Sequence, residues 1–187
     1  MATHTEAELN SLLGLSYIEG DAIQLARVRT GRNILAHIVN DSGGWGRGFV
    51  VNLSRAFRSA EDAYRLWAAN GIEAPTSWDV WPRAIFELGE TQFVRVSPNL
   101  VVANMCAQHG YGTPEDPIPV RYDAVEQCMQ TVFYECAENN AVLHMPRIGT
   151  NLGGGTWPEI LSSMWDAHVQ VGRWAGERVV YNYRGPN

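Results

Sequence analysis

The chain has 187 residues, of which 45% are hydrophobic, and a formal net charge of −6. This size suits one domain with a sizeable core, and the acidic charge disfavours nucleic acid or an anionic membrane as a general partner. All 14 basic residues are arginine, because the chain contains no lysine. A Walker phosphate loop, Schiff-base catalysis and serine–lysine hydrolysis each need a lysine, so these mechanisms are excluded.

The N-terminal residues lack the basic-then-apolar layout of a secretory signal, and no run of about twenty apolar residues could span a membrane. Cys106, Cys128 and Cys136 form an odd set without a C-x-x-C pair. This set argues against a disulfide framework and a cysteine-rich zinc site. We therefore expect a cytoplasmic protein, a monomer with no membrane partner, and neither a metal nor a cofactor.

Short β-rich runs predict strands at residues 15–19, 33–40, 91–97, 100–106, 141–145 and 178–183. Between these runs, apolar residues recur every three or four positions in three stretches, which predicts helices. The first stretch extends from Phe49 to Trp67 and predicts one long amphipathic helix. The second covers residues 125–136, and the third covers residues 160–168. The third helix should begin near Trp157.

Pro98 and Asn99 separate two of the predicted strands and are compatible with a hairpin. The remaining order alternates strand and helix, which predicts an α/β domain with a mixed central sheet of about six strands flanked by helices. We expect residues 1–14 to be an N-terminal extension and residues 15–187 to be a single domain. Residues 73–87 are predicted to be an aromatic-rich loop that either packs locally or borders a ligand.

Two glycine-rich turns each follow a predicted strand and precede a predicted helix. The first covers residues 40–48 and the second covers residues 146–156. Glycine permits close backbone approach, so such turns can direct several N–H groups towards an anion at a helix N-terminus. A tight structural connection is the alternative for each. Neither turn has the spacing G-x-G-x-x-G, so a Rossmann dinucleotide site is not indicated.

Four segments resemble, in the family's order, the motifs of the macro domain (macrodomain) family. They are residues 17–22 (YIEGDA), 37–48 (HIVNDSGGWGRG), 102–108 (VANMCAQ) and 144–157 (HMPRIGTNLGGGTW). The resemblance covers about residues 15–183 and is to the class of terminal ADP-ribose protein glycohydrolase and its bacterial relatives. It implies a domain that binds ADP-ribose or ADP-ribosylated protein, while an ADP-ribosylated nucleic acid stays open and is not favoured.

The resemblance also implies a position for each part of the ligand. Asp21 would accept a hydrogen bond from the adenine amino group, and Tyr181, or else Tyr183, would lie beside the adenine ring. Residues 43–48 would face the distal ribose and phosphates, with Asn40 oriented towards ribose hydroxyls, and residues 149–155 would wrap the diphosphate. The implied contacts are Asp21, Ala22, Asn40, Gly43, Gly44, Trp45, Gly46, Arg147, Ile148, Gly149, Thr150, Asn151, Leu152, Gly153, Gly154, Gly155 and Tyr181.

Several of these residues have structural alternatives. Arg147 could neutralise the diphosphate or pair with a buried carboxylate, because the arginine fork suits either use. Trp45 could border the distal ribose or anchor its turn in the core. Asp21 could be a turn residue, and Tyr181 could be a core tyrosine.

The catalytic expectation depends on two departures from the glycohydrolase pattern. A lysine attacks the distal ribose in that class and an aspartate assists, whereas this chain has no lysine and carries glycine in the region of the aspartate. A water-mediated route remains, in which Asn40, Asp41 and Gln108 would position water and stabilise the transition state. Asp41 could instead hold its turn, and His109 is a competing base.

The resemblance places His37 at the position of a histidine in a phosphatase-type macrodomain. The alternative is that His37 is a buried core histidine. The expected function is an ADP-ribosyl hydrolase that removes mono-ADP-ribose from acidic side chains. The alternatives are a noncatalytic ADP-ribose reader and an ADP-ribose 1″-phosphate phosphatase.

Overall fold

The structure is a computed structural model and describes residues 4–71, 80–81, 85–172 and 174–183. Within these ranges the helices are α1 (Glu6–Leu12), α2 (Ala22–Val28), α3 (Phe49–Ala56), α4 (Arg58–Asn70), α5 (Tyr122–Asn139) and α6 (Trp157–Val171). The strands are β1 (Leu15–Glu19), β2 (Asn33–Asn40), β3 (Val80–Trp81), β4 (Thr91–Ser97), β5 (Leu100–Gln108), β6 (Val142–Pro146) and β7 (Arg178–Asn182). All six predicted strands are present, and α6 begins at Trp157 as predicted.

The described strands form one mixed sheet in the order β1-β7-β6-β2-β5-β4-β3. The five strands from β1 to β5 in this order are parallel, whereas β4 pairs antiparallel with both β5 and β3. The predicted hairpin is therefore confirmed, as is the mixed α/β fold class. Because parallel strands end at the same edge, the segments that follow β2, β5 and β6 meet there.

Helices cover both faces of the sheet, with α1, α5 and α6 on one face and α2, α3 and α4 on the other. The central strand β2 is buried along nearly all of its length. Its residues alternate between the faces, so Ile34 and Ala36 pack into one core while Leu35 packs into the other. A strand covered on both faces has a nearly continuous apolar sequence, which is the signal that predicted it.

The prediction of one long helix over Phe49 to Trp67 is wrong, because the chain breaks at Phe57. Phe57 has φ −145° and ψ 83°, an extended conformation between α3 and α4. Its side chain is nonetheless buried with Leu53 and Ala60 in the same core. The spacing of apolar residues indicates which side chains face the core. It does not show whether the backbone between them is helical, so the pattern continues across the break at Phe57.

Three described elements were not predicted from the sequence. One is α1, which begins with a capping box between Thr5 and Glu8 and buries Leu9 against the domain. Another is α2, and the third is β3, a two-residue strand within the predicted 73–87 loop. Residues 72–79 and 82–84 of that region lie outside the described residues. The ring of Trp81 in β3 stacks on Phe93 of β4.

The three cysteines are free and buried. Burial raises the pKa of the Cys128 thiol to about 12, so this thiol stays protonated at neutral pH. None of the helices in the described ranges is long and apolar enough to cross a membrane.

Candidate functional site

A cavity of about 610 Å³ lies at the carboxyl ends of β2, β5 and β6. Three connecting segments surround it: the first glycine loop (residues 40–48), the β5–α5 loop (residues 109–121) and the second glycine loop (residues 146–156). The predicted residues that line it are His37, Asn40, Gly44, Gly46, Gln108, Arg147, Ile148, Gly149, Asn151, Leu152 and Gly153. The fold therefore brings both glycine-rich turns to one cavity.

Other predicted site residues do not line this cavity, namely Asp21, Ala22, Asp41, Gly43, Trp45, Thr150, Gly154, Gly155 and Tyr181. Asp21 is the N-cap of α2, where its carboxylate accepts hydrogen bonds from the backbone N–H groups of Ile23 at 2.8 Å and Gln24 at 3.4 Å. Tyr181 lies in β7 and is 3% exposed. Their contacts with adenine stay predictions.

Asn40 organises the first glycine loop from within. Its side-chain oxygen accepts hydrogen bonds from the backbone N–H of Gly44 at 3.0 Å and from the N–H and hydroxyl of Ser42. Its side-chain nitrogen donates to the carbonyl oxygen of Gly44 at 2.8 Å. The hydroxyl of Tyr64 donates to the Asn40 carbonyl oxygen at 2.7 Å. The Asn40 carboxamide thus fixes the path of the loop that borders the cavity.

Trp45 anchors the same loop in the core. Its indole N–H donates to the Ser54 hydroxyl at 2.5 Å, and its ring packs beside Tyr64 and His37. Arg65 donates to the Trp45 carbonyl oxygen. Because Trp45 is only 7% exposed, this geometry agrees with the anchoring alternative.

The second glycine loop is held by close backbone approach. Gly155 donates to the Gly149 carbonyl oxygen at 2.9 Å, and a Cβ at Gly153 would lie 2.6 Å from that same oxygen. A Cβ at Gly154 would lie 2.5 Å from the carbonyl oxygen of Pro117. Larger residues cannot occupy these places without moving the backbone, so glycine is required here for space.

Two arginines line the cavity, and they differ in their partners. The Arg147 guanidinium donates to the side chain of Asn182 at 2.9 Å and lies 5.3 Å from the ring centres of both Tyr17 and Trp157. The sequence predicted that Arg147 would neutralise the diphosphate or pair with a buried carboxylate, and neither alternative included contacts with aromatic rings. Arg47 is exposed and makes no hydrogen bond or ion pair within the described part of the chain. Among the described residues that line the cavity, Arg47 is thus a cation without a protein partner and can meet an anionic ligand.

Asp41 connects the first glycine loop to the β5–α5 loop. One carboxylate oxygen lies 2.7 Å from Nδ1 of His109, and the other accepts from the backbone N–H of Gly110 at 2.8 Å. The Gln108 side chain donates to the Gly110 carbonyl oxygen at 2.9 Å. Because a carbonyl oxygen only accepts, the contacting Gln108 atom must be its nitrogen. Its side-chain oxygen makes no hydrogen bond with any described residue and is free to accept one.

His37 lies beneath the cavity as an uncharged side chain. Its Nε2 is 2.6 Å from the side-chain oxygen of Asn104, whose nitrogen donates to Gln92 and to the Ala60 carbonyl oxygen. The Asn104 oxygen therefore accepts, and His37 carries its proton on Nε2. Burial lowers the pKa of His37 to about 4. Its Nδ1 is buried without a hydrogen-bond partner among the described residues.

His144 occupies the corresponding strand of the second loop and is fully partnered. Its Nε2 lies 3.0 Å from the Asn33 side-chain oxygen, and its Nδ1 lies 2.8 Å from the Tyr181 hydroxyl. Asn33 donates through its nitrogen to three backbone carbonyls, so His144 donates through Nε2 and accepts from Tyr181. Burial lowers the pKa of His144 to about 4.

Sequence analysis did not assign Arg47, Phe49, Val50, Tyr111 or Gly112 to the site, although all of them line the cavity. Arg47 lies within the motif of residues 37–48, and its signal was a cationic side chain between Gly46 and Gly48. Tyr111 lies between Gly110 and Gly112, so its signal was an isolated aromatic residue in a glycine turn. In the described ranges, no cluster of three or more His, Cys, Asp or Glu side chains could hold a metal ion.

Neither a family sequence model nor a curated protein matches the chain. Among solved structures, a protein of unknown function from Bacteroides thetaiotaomicron is 38% identical, with 89% of this chain and 96% of that chain covered and a TM-score of 0.74. The macrodomain protein from Streptomyces coelicolor is 36% identical over 90% of this chain and 98% of that chain, with a TM-score of 0.69. DarTG from Thermosipho africanus, solved in complex with ADP-ribose, is 14% identical over 91% of this chain and 41% of that chain, with a TM-score of 0.59, and shares the fold.

Proposed function

This chain belongs to the macrodomain family, and from that premise we propose that it binds ADP-ribose in the cavity between its two glycine loops. The observation that carries the proposal is the convergence of both loops and a free Arg47 on one cavity of about 610 Å³. Cavities of roughly 300–1,000 Å³ are typical for small ligands of this size. The DarTG structure, which contains ADP-ribose and shares the fold, supports the same ligand.

The diphosphate would lie between the glycine loops. The second loop leads into α6, whose N-terminus carries a partial positive charge and has no side-chain cap. Arg47 adds a full charge from the first loop, and its guanidinium can form paired hydrogen bonds with phosphate oxygens. This arrangement would provide the positive charge that a lysine provides in a Walker phosphate loop. It agrees with a chain that contains arginine but no lysine.

The two ends of ADP-ribose would lie on opposite sides of the diphosphate. Adenine would extend towards Asp21, which follows β1 near the sheet edge formed by β1 and β7. The distal ribose would lie near Gly44 and Gln108, where the first glycine loop meets the β5–α5 loop. In this orientation Asp21 would accept from the adenine amino group while continuing to cap α2.

We further propose that the site hydrolyses mono-ADP-ribose esters on acidic side chains by a water-mediated route. A carboxylate leaves C1″ as a stable anion, so the ester bond can break without a strong general acid. The reaction then needs an oriented water and stabilisation of the developing positive charge on the ribose. The free side-chain oxygen of Gln108 is suited to orient that water, which releases a proton to solvent as its oxygen bonds to C1″. Phosphate oxygens of the substrate would stabilise the charge.

A noncatalytic reader is the second candidate, and one observation favours it. The side chains of Asn40 and Asp41 are both engaged in holding loops, and Asp41 has a hydrogen bond on each carboxylate oxygen. Asn40 is an uncharged amide and cannot act as a general base, and Asp41 does not line the cavity. A 1″-phosphatase would depend on His37, whose Nδ1 is an uncharged acceptor at neutral pH.

The deciding experiment measures ADP-ribose release from a glutamate-linked mono-ADP-ribosylated protein, together with calorimetric binding of free ADP-ribose. Gln108→Ala should lower turnover at least about tenfold while changing affinity less than about threefold, as expected for a group that acts mainly in the transition state. Gln130→Ala on α5 is the matched control and should change neither quantity. Release of phosphate from ADP-ribose 1″-phosphate is measured in parallel.

Each result distinguishes one candidate. Release that depends on Gln108 supports the hydrolase, and binding without release from the protein ester supports the reader. Phosphate release that is lost in His37→Gln supports the phosphatase. Absence of ADP-ribose binding by the folded wild-type protein would contradict all three.

A further inference from the structure

Tyr111 lies across the first glycine loop at the edge of the cavity. A Cβ placed on Gly44 would be 1.6 Å from the Tyr111 hydroxyl oxygen and 2.7 Å from its Cζ, so the end of the tyrosine ring rests directly on this glycine. Gly44 has no positive φ that would require glycine. A side chain at position 44 would therefore displace the end of the Tyr111 ring.

Hydrogen bonds hold the residues that precede Tyr111 in the β5–α5 loop. Asp41 accepts from the Gly110 N–H, and the Gln108 side chain donates to the Gly110 carbonyl oxygen. His109 donates through its backbone N–H to Pro119. Gly110 has φ +53°, which turns the chain so that Tyr111 is directed over the first glycine loop.

The Tyr111 side chain is 61% exposed, and its hydroxyl makes no hydrogen bond within the described part of the chain. An aromatic ring with an unused hydroxyl, lying beside a cavity, is suited to a ligand with both apolar and hydroxyl surfaces. A ribose has this chemistry, because its C–H groups can pack against a ring while its hydroxyls form hydrogen bonds.

We propose that Tyr111, whose ring end rests on Gly44, covers the terminal ribose of ADP-ribose at this edge of the cavity. This inference rests on the proposed ADP-ribose binding, in which the distal ribose lies near Gly44 and Gln108. The hydroxyl of Tyr111 donates to a ribose oxygen, and the ring covers the sugar on the side open to solvent. Tyr111 is thus a specificity residue that distinguishes ligands with a terminal ribose from those without one.

The test compares ADP-ribose with ADP, which has the same adenosine and diphosphate but lacks the terminal ribose. Calorimetry on Tyr111→Ala should give about tenfold weaker binding of ADP-ribose, from loss of one hydrogen bond and the covering ring. Binding of ADP should change less than about twofold, a difference too small to reflect a lost contact. Tyr111→Phe keeps the ring and should weaken ADP-ribose binding about threefold.

Tyr134→Ala is the matched control, because Tyr134 lies on α5 and is 59% exposed. It should leave the affinity for both ligands unchanged. Tyr111→Ala should melt within about 2 °C of the wild type, because an exposed side chain without hydrogen bonds contributes little to stability.

The outcomes separate this inference from the proposed function. If the wild type binds ADP-ribose and neither Tyr111 variant weakens that binding, the role of Tyr111 is wrong while the proposed function stands. Equal weakening of ADP and ADP-ribose would also overturn it, because Tyr111 would then contact the shared part of the two ligands. A folded wild type that binds neither ligand would contradict the proposed function itself.

Gly44→Ala adds an independent check. The new methyl group would occupy the place of the Tyr111 hydroxyl and displace the ring. In a double-mutant cycle, the double variant Gly44→Ala with Tyr111→Ala should therefore bind ADP-ribose about as weakly as the weaker single variant. If the losses in binding free energy of the two single variants simply added in the double variant, the contact between Tyr111 and Gly44 would not be a source of the affinity.

Discussion

The two glycine loops border one cavity but are held in different ways. The first depends on side chains, because Asn40 binds Gly44 from within the loop and Trp45 anchors it to Ser54. The second depends on the absence of side chains, because Gly153 and Gly155 lie against the backbone of Gly149. Similar glycine content therefore has two different physical causes, and substitutions in the two loops should have different effects.

The largest expected effect is that of Gly153→Ala in the second loop. The added Cβ would lie 2.6 Å from the Gly149 carbonyl oxygen, so the backbone must move. We expect an unfolding free energy lower by about 3 kcal/mol, as for severe overpacking, and ADP-ribose affinity at least about tenfold weaker. Chemical denaturation and calorimetry measure the two quantities.

Gly46→Ala in the first loop is the matched control, because a Cβ there would meet nothing within 4 Å and the backbone φ is not positive. It should change stability by less than about 0.5 kcal/mol, as a surface substitution does. If Gly46→Ala lowered the unfolding free energy as much as Gly153→Ala, the contrast between the two loops would be wrong.

The next largest effect is expected for Asn40→Ala. It removes the acceptor for Gly44 and Ser42 and the donor to the Gly44 carbonyl, so the first loop loses its internal support. We expect a loss of about 2 kcal/mol in unfolding free energy, since each such hydrogen bond contributes about 1 kcal/mol and some are replaced by water. Asn52→Ala, at an exposed position of α3, should be nearly neutral. An Asn40 variant as stable as the wild type would show that the loop needs no side-chain support.

A smaller effect should follow acidification, because the strand before each loop carries a buried neutral histidine. The pKa of His37 and that of His144 are both lowered from 6.5 to about 4 in the folded protein. Below pH 6.5 the unfolded chain binds more protons than the folded one, so stability falls as the pH falls from 6.5 towards 4. Between pH 7 and pH 6 the two histidines together should lower the unfolding free energy by roughly 1–2 kcal/mol.

Urea unfolding at these two pH values measures that fall. His37→Gln and His144→Gln should each remove about half of it, even if each also changes stability at pH 7. The two histidines also differ in their hydrogen bonds. Both ring nitrogens of His144 have a hydrogen-bond partner, whereas only Nε2 of His37 has one among the described residues. A variant that keeps the full pH dependence would show that its histidine titrates alike in both states.

The smallest effect is expected for Ser54→Ala, which removes the acceptor of the Trp45 indole N–H. The Ser54 hydroxyl also donates to the Val50 carbonyl oxygen within α3. Because water replaces part of both hydrogen bonds, the loss should be about 1 kcal/mol in unfolding free energy. ADP-ribose affinity should change less than about twofold, because Asn40 and Arg65 still hold the loop backbone. Ser59→Ala on the exposed side of α4 is the control. A large loss of affinity would mean that Trp45 anchoring alone positions the first loop.

Much of the fold could be predicted because its signals are local. The strands β2 and β5 are mostly apolar, and Thr156, Pro158 and Glu159 stand in the order typical of a helix start. The break at Phe57 could not be predicted, since Phe57 keeps its place in the apolar pattern although its backbone is extended. The short helix α1 was also missed, because seven residues give too few turns for a clear period.

The candidate site was predictable to a different extent. The sequence by itself determined the lack of lysine, which is a property of the composition. It also determined the two glycine turns and the resemblance that identified a macrodomain, because each motif consists of residues close together in the chain. Only the tertiary structure decided that Asn40 and Asp41 hold loops, that His37 is uncharged, and that Tyr111 rests on Gly44. These properties arise from burial and from contacts between residues up to 69 positions apart, as in the bond from Gly110 to Asp41, and no local pattern encodes such contacts.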